Sequence, residues 1–425
     1  MMKLCIANLL AITQEVPRMT TVEVPDASAG TPSYPMPRQC PFSPPNELGE
    51  LRESAPVARA RIWDGSTPWL LTRYADVRAV LADPRFSADP FRSGYPHAAP
   101  SRKIRQTRMR PSFIMMDDPE HARVRRMLIG EFTVKRIEQL RPLVERAVTE
   151  LLDDMAAGEN PTDLVAAFAL PLPSLVICHL LGVPYSDHEF FQQQSHALLD
   201  LTAGEQAVLA AADALVGYLA RLVADRRRHP QDDLISRLAA RVEAGELEAD
   251  EAASTAFLLL VAGHETTANM IGLGTLTLLR HPDQAALVRD GDPETVGSAV
   301  EELLRMLTVT HLGRRRVATE DVEVGGTLIR EGDGMILAAE AANRDPEAYS
   351  EPDELDVTRG TNRHVAFGFG VHQCLGQPLA RLELRIAYPA LLRRFGDLRV
   401  TVPDEQIRFR EQMAVYGVHE LPVAF

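Results

Sequence analysis

Apolar residues recur at i, i+3, i+4 spacing, among good helix formers, over residues 134–157, 203–227, 248–280, 294–306 and 375–394. Strand-like stretches are few and short. Residues 69–72 form one, followed at once by a helical run at 74–81. Residues 322–329 form another, with Gly325-Gly326 as a hairpin turn, and 335–338 is expected to continue that small sheet. There is no repeat, low-complexity tract or long linker. The pattern predicts a mainly α protein: a single large helical domain with small β-sheets over residues 35–425, behind a flexible N-terminal extension, 1–34. The Pro-, Ser- and Gly-rich stretch at 25–45 is expected to be irregular.

The segment 248–280 stands apart. It is apolar nearly all round between Phe257 and Ala262, so it should be a core helix of about 50 Å. Asp250 and Glu251 stand where the helix dipole favours anions, and His281-Pro282 ends the run. Gly263-His264-Glu265-Thr266-Thr267 breaks the apolar pattern in mid-helix, and a buried helix does not take an acid and two hydroxyls there without a reason. Ala262 and Thr266, four apart, share a face. Gly263, without a Cβ, would let a small ligand approach the backbone.

Composition narrows the function. A chain of 425 residues with a formal charge of −14 does not suit general nucleic-acid binding, which needs clustered cations. The apolar run at 4–12 is too short to span a membrane and lacks a cleavage site, so an upstream start, with Met19 as the alternative, is the simpler reading. The four cysteines, Cys5, Cys40, Cys178 and Cys374, are far apart and form no zinc or disulfide pattern. A reducing, cytoplasmic location is expected, with no membrane and no nucleic-acid partner. One cysteine has unusual company. Phe367-Gly368-Phe369-Gly370-Val371-His372-Gln373-Cys374-Leu375-Gly376 places three glycines around a thiol just ahead of a helix. That position should lower the thiol pKa and favour the metal-ligating thiolate.

On this string the chain resembles the cytochrome P-450 haem-thiolate family, of the soluble bacterial type, from about Pro35 to Phe425. The resemblance implies a haem b cofactor with Cys374 as the axial ligand to iron, a thiolate that favours O–O cleavage. It implies that His372, His121, Arg125 and Arg316 bind the haem propionates, with the register among Arg314, Arg315 and Arg316 left open. Ala262 would lie against the haem. Thr266 and Glu265 would be catalytic, Thr266 positioning water and Glu265 feeding a proton relay for O2 activation. Glu302 and Arg305, with Arg359, would form a structural ion-pair network behind the cysteine loop. Leu259, Ala262, Gly263, Leu312 and Val415 are the expected pocket lining.

No dinucleotide or flavin motif is present, so electrons from NAD(P)H are expected to arrive through a ferredoxin and a ferredoxin reductase. Eight Lys/Arg against three acids at residues 101–126 suggest a docking patch for that acidic partner, together with propionate contacts. Arg123 and Arg126 would form a solvated face. The expected reaction is hydroxylation of a medium-sized, mostly apolar small molecule, of secondary-metabolite or xenobiotic type. One of Arg92, Arg102, Arg105, Arg108 and Arg110 is expected to meet a carboxylate or polar end of it. The alternatives are a nitric oxide reductase-like enzyme, a peroxide-driven enzyme and a haem-based sensor. The Glu265-Thr266 pair argues against each of them: the nitric oxide-reducing branch of the family lacks the acid, peroxide-driven members often depart from the pair, and a sensor does not need proton delivery.

Overall fold

The apolar run at 248–280 forms one helix, Ala249–Arg280, in a computed structural model that describes residues 30–360 and 363–425. Its start is fixed by a capping box: the Glu248 side chain accepts from the backbone of Glu251, and the Glu251 side chain returns the contact. Its apolar residues are buried on nearly every side, because Pro171–Leu181, Glu205–Arg228 and Gln377–Arg394 pack around it. Glu205–Arg228 and Ala249–Arg280 are both long and apolar enough to cross a membrane. Both are packed among other helices here.

Pro32–Phe425 forms one compact unit; the other, Met1–Thr31, lies outside the described residues except for Gly30 and Thr31. The readings made for the N-terminal run, the start codon and Cys5 therefore fall outside the described residues. Within the described chain, Ser33 bridges to Arg61 and Tyr34 is buried.

The remaining predicted helices form as Glu205–Arg228, Pro293–Leu307 and Gln377–Arg394. The run at 134–157 differs, splitting into Val134–Glu138 and Arg141–Ala157. Pro142 explains the break: it lacks an N–H and suits only the first turn of a new helix. Val322–Val324 and Thr327–Ile329 form the expected hairpin, with Gly325 and Gly326 at positive φ. Gly334–Leu337 does not join it. It lies between Trp69–Leu71, in parallel, and Arg314–Ala318, antiparallel, inside a five-stranded sheet. Its burial on all sides suits a central strand.

Candidate active site

The cysteine loop is shaped by its glycines. Gly368 and Gly370 both have φ +72°. A Cβ on Gly370 would stand 2.5 Å from the Leu81 carbonyl oxygen, so the loop can sit against the 74–82 helix only with glycine there. Gly370→Ala is expected to cost about 1–3 kcal/mol of stability, read as a lowered denaturation midpoint. An unchanged midpoint would mean that the loop is not held by this contact. The Cys374 amide donates to the Phe367 carbonyl (2.9 Å), which closes the turn three residues before the helix Gln377–Arg394.

The Cys374 thiol is accessible, but only to an internal cavity. The cavity, of about 100 Å³, is lined by Cys374, Phe367 and Ala366 on one side and Thr266, Thr267 and Met270 of the central helix on another. The expected lowering of the thiol pKa is not what the surroundings produce. Burial pushes it up, and the opposing influences of the Gly376 N–H and of Arg314, Arg125 and Arg381 are smaller.

Above this cavity lies a larger one of about 380 Å³, which shares Thr266, Thr310 and Arg314 with it. Ala262, although mid-helix, is exposed because it faces this space. Leu312 and Val415 line it as expected, whereas Leu259 and Gly263 do not; Phe257, Leu258 and Val261 do instead. Gly263 faces outward: a Cβ there would meet Ile177 Cδ1 at 2.8 Å. Its small size serves the packing of Pro171–Leu181 on the central helix, not access from the cavity.

Thr266 Oγ1 donates to the Ala262 carbonyl (2.8 Å). Glu265 is buried and accepts from Arg410 Nη2 at 3.1 Å, while Asn269 donates to the Glu265 carbonyl at 2.7 Å. Glu265 lines the larger cavity and also a separate one of about 150 Å³ behind the helix, with His196, Asn269, Arg410 and His419. Arg410 has no local motif; only the return of the C-terminal segment 408–419 beneath the central helix makes it the partner of Glu265.

A group of imidazoles and guanidinium groups gathers at the edge of the site. The rings of His121 and His372 lie 4.1 Å apart, with His121 Nδ1 3.0 Å from Asp118. His121 Nε2 and His372 Nδ1 are buried without partners. Burial, with Arg316 and His121 nearby, pushes the His372 imidazole down to about 3. Arg125 Nη2 donates to the Gln373 carbonyl (2.6 Å), and Arg316 is buried. Strand alternation turns Arg314 to the Cys374 side, where it donates to the Ala366 carbonyl (2.6 Å) and leaves Nη1 buried and unpartnered. Burial lowers the pKa of both Arg314 and Arg316. An apolar slot between a thiol and a helix face, with unpaired buried cations at its edge, fits a flat apolar group bearing carboxylates. Haem is such a group, so the residues present fit it.

Behind the loop, Arg305 Nε and Nη2 each donate to a Glu302 oxygen at 2.8 Å, with both side chains fully buried. Arg359 Nε donates to Glu302 Oε1 at 3.0 Å. Asn343 extends the network: its Nδ2 donates to Thr308 Oγ1, and its Oδ1 accepts from the Val365 amide. The role of Asn343 had no signature in the sequence.

The basic stretch at 101–126 does not hold together as one surface. Arg102 and Arg105 line the larger cavity, Arg110 pairs with Asp250 and Glu251, and Arg123 also pairs with Glu251. Arg123, although paired with Glu251, keeps 39% of its side chain exposed, and Arg126 is exposed.

Residues 60–291 and 294–422 match the family profile described as Cytochrome P450. Cytochrome P450-SU2 of Streptomyces griseolus is 55% identical over 410 residues, covering 96% of this chain and 100% of that protein. The 20-oxo-5-O-mycaminosyltylactone 23-monooxygenase of Streptomyces fradiae is 43% identical over 403 residues, 94% of each chain. Among solved structures, the mycinamicin VIII C21 methyl hydroxylase MycCI from Micromonospora griseorubida, bound to mycinamicin VIII, superposes with a TM-score of 0.88 at 41% identity. That match covers 93% of this chain and 100% of the other.

Proposed function

Because the chain belongs to the cytochrome P450 family, we propose that it hydroxylates a medium-sized, mostly apolar secondary metabolite, with Cys374 as the thiolate ligand to its haem. As a P450 it is a haem monooxygenase that takes electrons from NAD(P)H through partner proteins and acts on a small molecule. The observation that carries the finer reading is the Cys374 thiol opening onto a cavity walled by Thr266, which also borders the larger cavity that Ala262 faces. Bound haem supplies the iron at which dioxygen is reduced, so that one oxygen atom enters the substrate and the other leaves as water.

The chain's own residues hold, orient and protonate. His121, Arg125, Arg316 and His372 would bind the propionates, which give these buried groups the anion they lack. Ala262 presents only a methyl to the cavity and leaves room over the haem face. Thr266 would hold a proton donor at the cavity wall. Glu265 would feed it from the polar cavity behind the helix, since it touches both spaces, and Arg410 keeps the carboxylate in place. Relatives named as a 20-oxo-5-O-mycaminosyltylactone 23-monooxygenase and a mycinamicin VIII C21 methyl hydroxylase support the substrate class.

For electron delivery we propose a ferredoxin and a ferredoxin reductase in the cytoplasm, where the thiol stays reduced. We propose that the haem-binding domain begins slightly before the expected residue 35; burial of Tyr34 in the compact unit Pro32–Phe425 supports this.

The absorption spectrum of the reduced carbonyl complex tests the assignment: a band at the thiolate-ligated position is expected, and one at the imidazole-ligated position would overturn it. Thr266→Ala is expected to lower the product formed per NAD(P)H consumed by about an order of magnitude, with reduced oxygen released in its place. Unchanged coupling would remove Thr266 from the relay.

A further inference from the structure

Of the five arginines between residues 92 and 110, three are accounted for. Arg92 lies 3.7 Å from Asp117, Arg110 pairs with Asp250 at 2.7 Å and Glu251 at 3.1 Å, and Arg108 is exposed. Arg102 and Arg105 differ. They stand at i and i+3 on the helix Pro100–Arg108, on one face, and that face lines the larger cavity. Among the described residues neither side chain makes a hydrogen bond or an ion pair, and the Nε of each is buried without a partner. Arg315 reaches the same cavity from the neighbouring strand; its Nη1 donates to the Gly313 carbonyl, and its Nε has no partner.

Among the described residues, the one carboxylate lining that cavity, Glu265, is already bound to Arg410. Most of the remaining wall is apolar, including Leu198, Phe257, Leu258, Val261 and Val415. Buried guanidinium groups without counter-ions are costly, and an apolar cavity gives them none. Burial and the neighbouring Arg105 and Arg315 charges push Arg102 down to about 9, the direction expected of cations crowded together without an anion. The propionate site does not explain these arginines, since it has its own donors in His121, His372, Arg125 and Arg316.

We propose that the larger cavity selects substrates that carry a carboxylate on an apolar body, with the carboxylate held by Arg102 and Arg105 and assisted by Arg315. This rests on the haem-thiolate reading of the same site and narrows its substrate class. A planar guanidinium presents two parallel N–H donors that match a carboxylate edge. A phosphate dianion would have to shed more hydration to enter the same apolar space.

The test uses the ferric holoenzyme and matched probes: dodecanoic acid with its methyl ester, and 2-naphthaleneacetic acid with its methyl ester. Binding is read from the haem spin-state shift on titration. The acid of at least one pair is expected to bind about tenfold or more tightly than its ester, and R102Q/R105Q is expected to bring that acid to the level of its ester. R102K/R105K, which keeps the charges, should retain part of the preference. Acids that give no shift, acids that bind no better than their esters, or a preference that survives in R102Q/R105Q would overturn the proposal. So would loss of haem from R102Q/R105Q, which would assign these arginines to the propionates. Failure of the haem-thiolate reading would appear separately, as a parent enzyme whose reduced carbonyl band is not that of a thiolate ligand.

Discussion

Replacing Cys374 by alanine is expected to lower hydroxylation by about a thousandfold or more, a loss of ~4 kcal/mol in transition-state stabilisation, and to abolish the thiolate-type carbonyl band. The argument is one of substitutes. The described residues lining the cavity beneath the central helix include no imidazole, no carboxylate and no second thiol. Met270 is the other sulfur there, a thioether that carries no charge and sits on the helix side. An iron centre that lost Cys374 would have only water or an added ligand on its proximal face. The loop itself should survive, because its shape rests on Gly368, Gly370 and the Phe367 carbonyl contact and not on the thiol. Cys374→Ala should therefore fold, and a titration with imidazole should show the open position filled. Activity and a thiolate-type band retained in Cys374→Ala would remove this residue from the site.

Glu302→Ala is expected to destabilise the folded chain by about 3–5 kcal/mol, read as a lowered urea midpoint with accelerated haem loss. Arg305 and Glu302 are fully buried, so removing the acid leaves an uncompensated guanidinium charge in the core and takes away the partner of its Nε. Arg359 loses its partner in the same step. The remaining bonds of Arg305, to the Asn343 and Pro352 carbonyls, cannot neutralise the charge. The damage should reach the haem site because Asn343 ties the end of the Pro293–Leu307 helix, through Thr308, to the Val365 amide near the cysteine loop. A variant as stable as the parent would show that the pair is replaceable, as some buried ion pairs are.

How much of this was legible in the sequence depended on how local the cause was. The cysteine loop could be read because its chemistry is contiguous: glycines, a histidine and a thiol within ten residues. The central helix could be read because an acid and hydroxyls interrupt an apolar run, and a helical period places Ala262 and Thr266 together. Glu302 and Arg305 are one turn apart and could be paired on spacing. The misses have causes that span the chain. Gly334–Leu337 was assigned to the nearest hairpin, but its partner strand Trp69–Leu71 comes from far upstream. Leu259 and Gly263 lie one or two residues from true lining positions, and only the placement of Pro171–Leu181 decides which way the helix turns. Arg410 meets Glu265 across much of the sequence, so no window contains both. The basic stretch at 101–126 read as one patch because charge counts ignore direction, and the helix turns its arginines apart.

The outward-facing glycine of the central helix bears on how this scaffold can diversify. Position 263 sits inside the most recognisable stretch of the helix, so it invites alteration by anyone seeking new substrates. Its constraint comes from Ile177 on the far side. Enlarging it would push two helices apart and spend stability without reshaping the reaction chamber. Selection for new chemistry should instead act at Leu258 and Val261, whose side chains border the chamber. A library that varied 258 and 261 while holding 263 fixed would retain more folded members than one that varied the whole stretch alike.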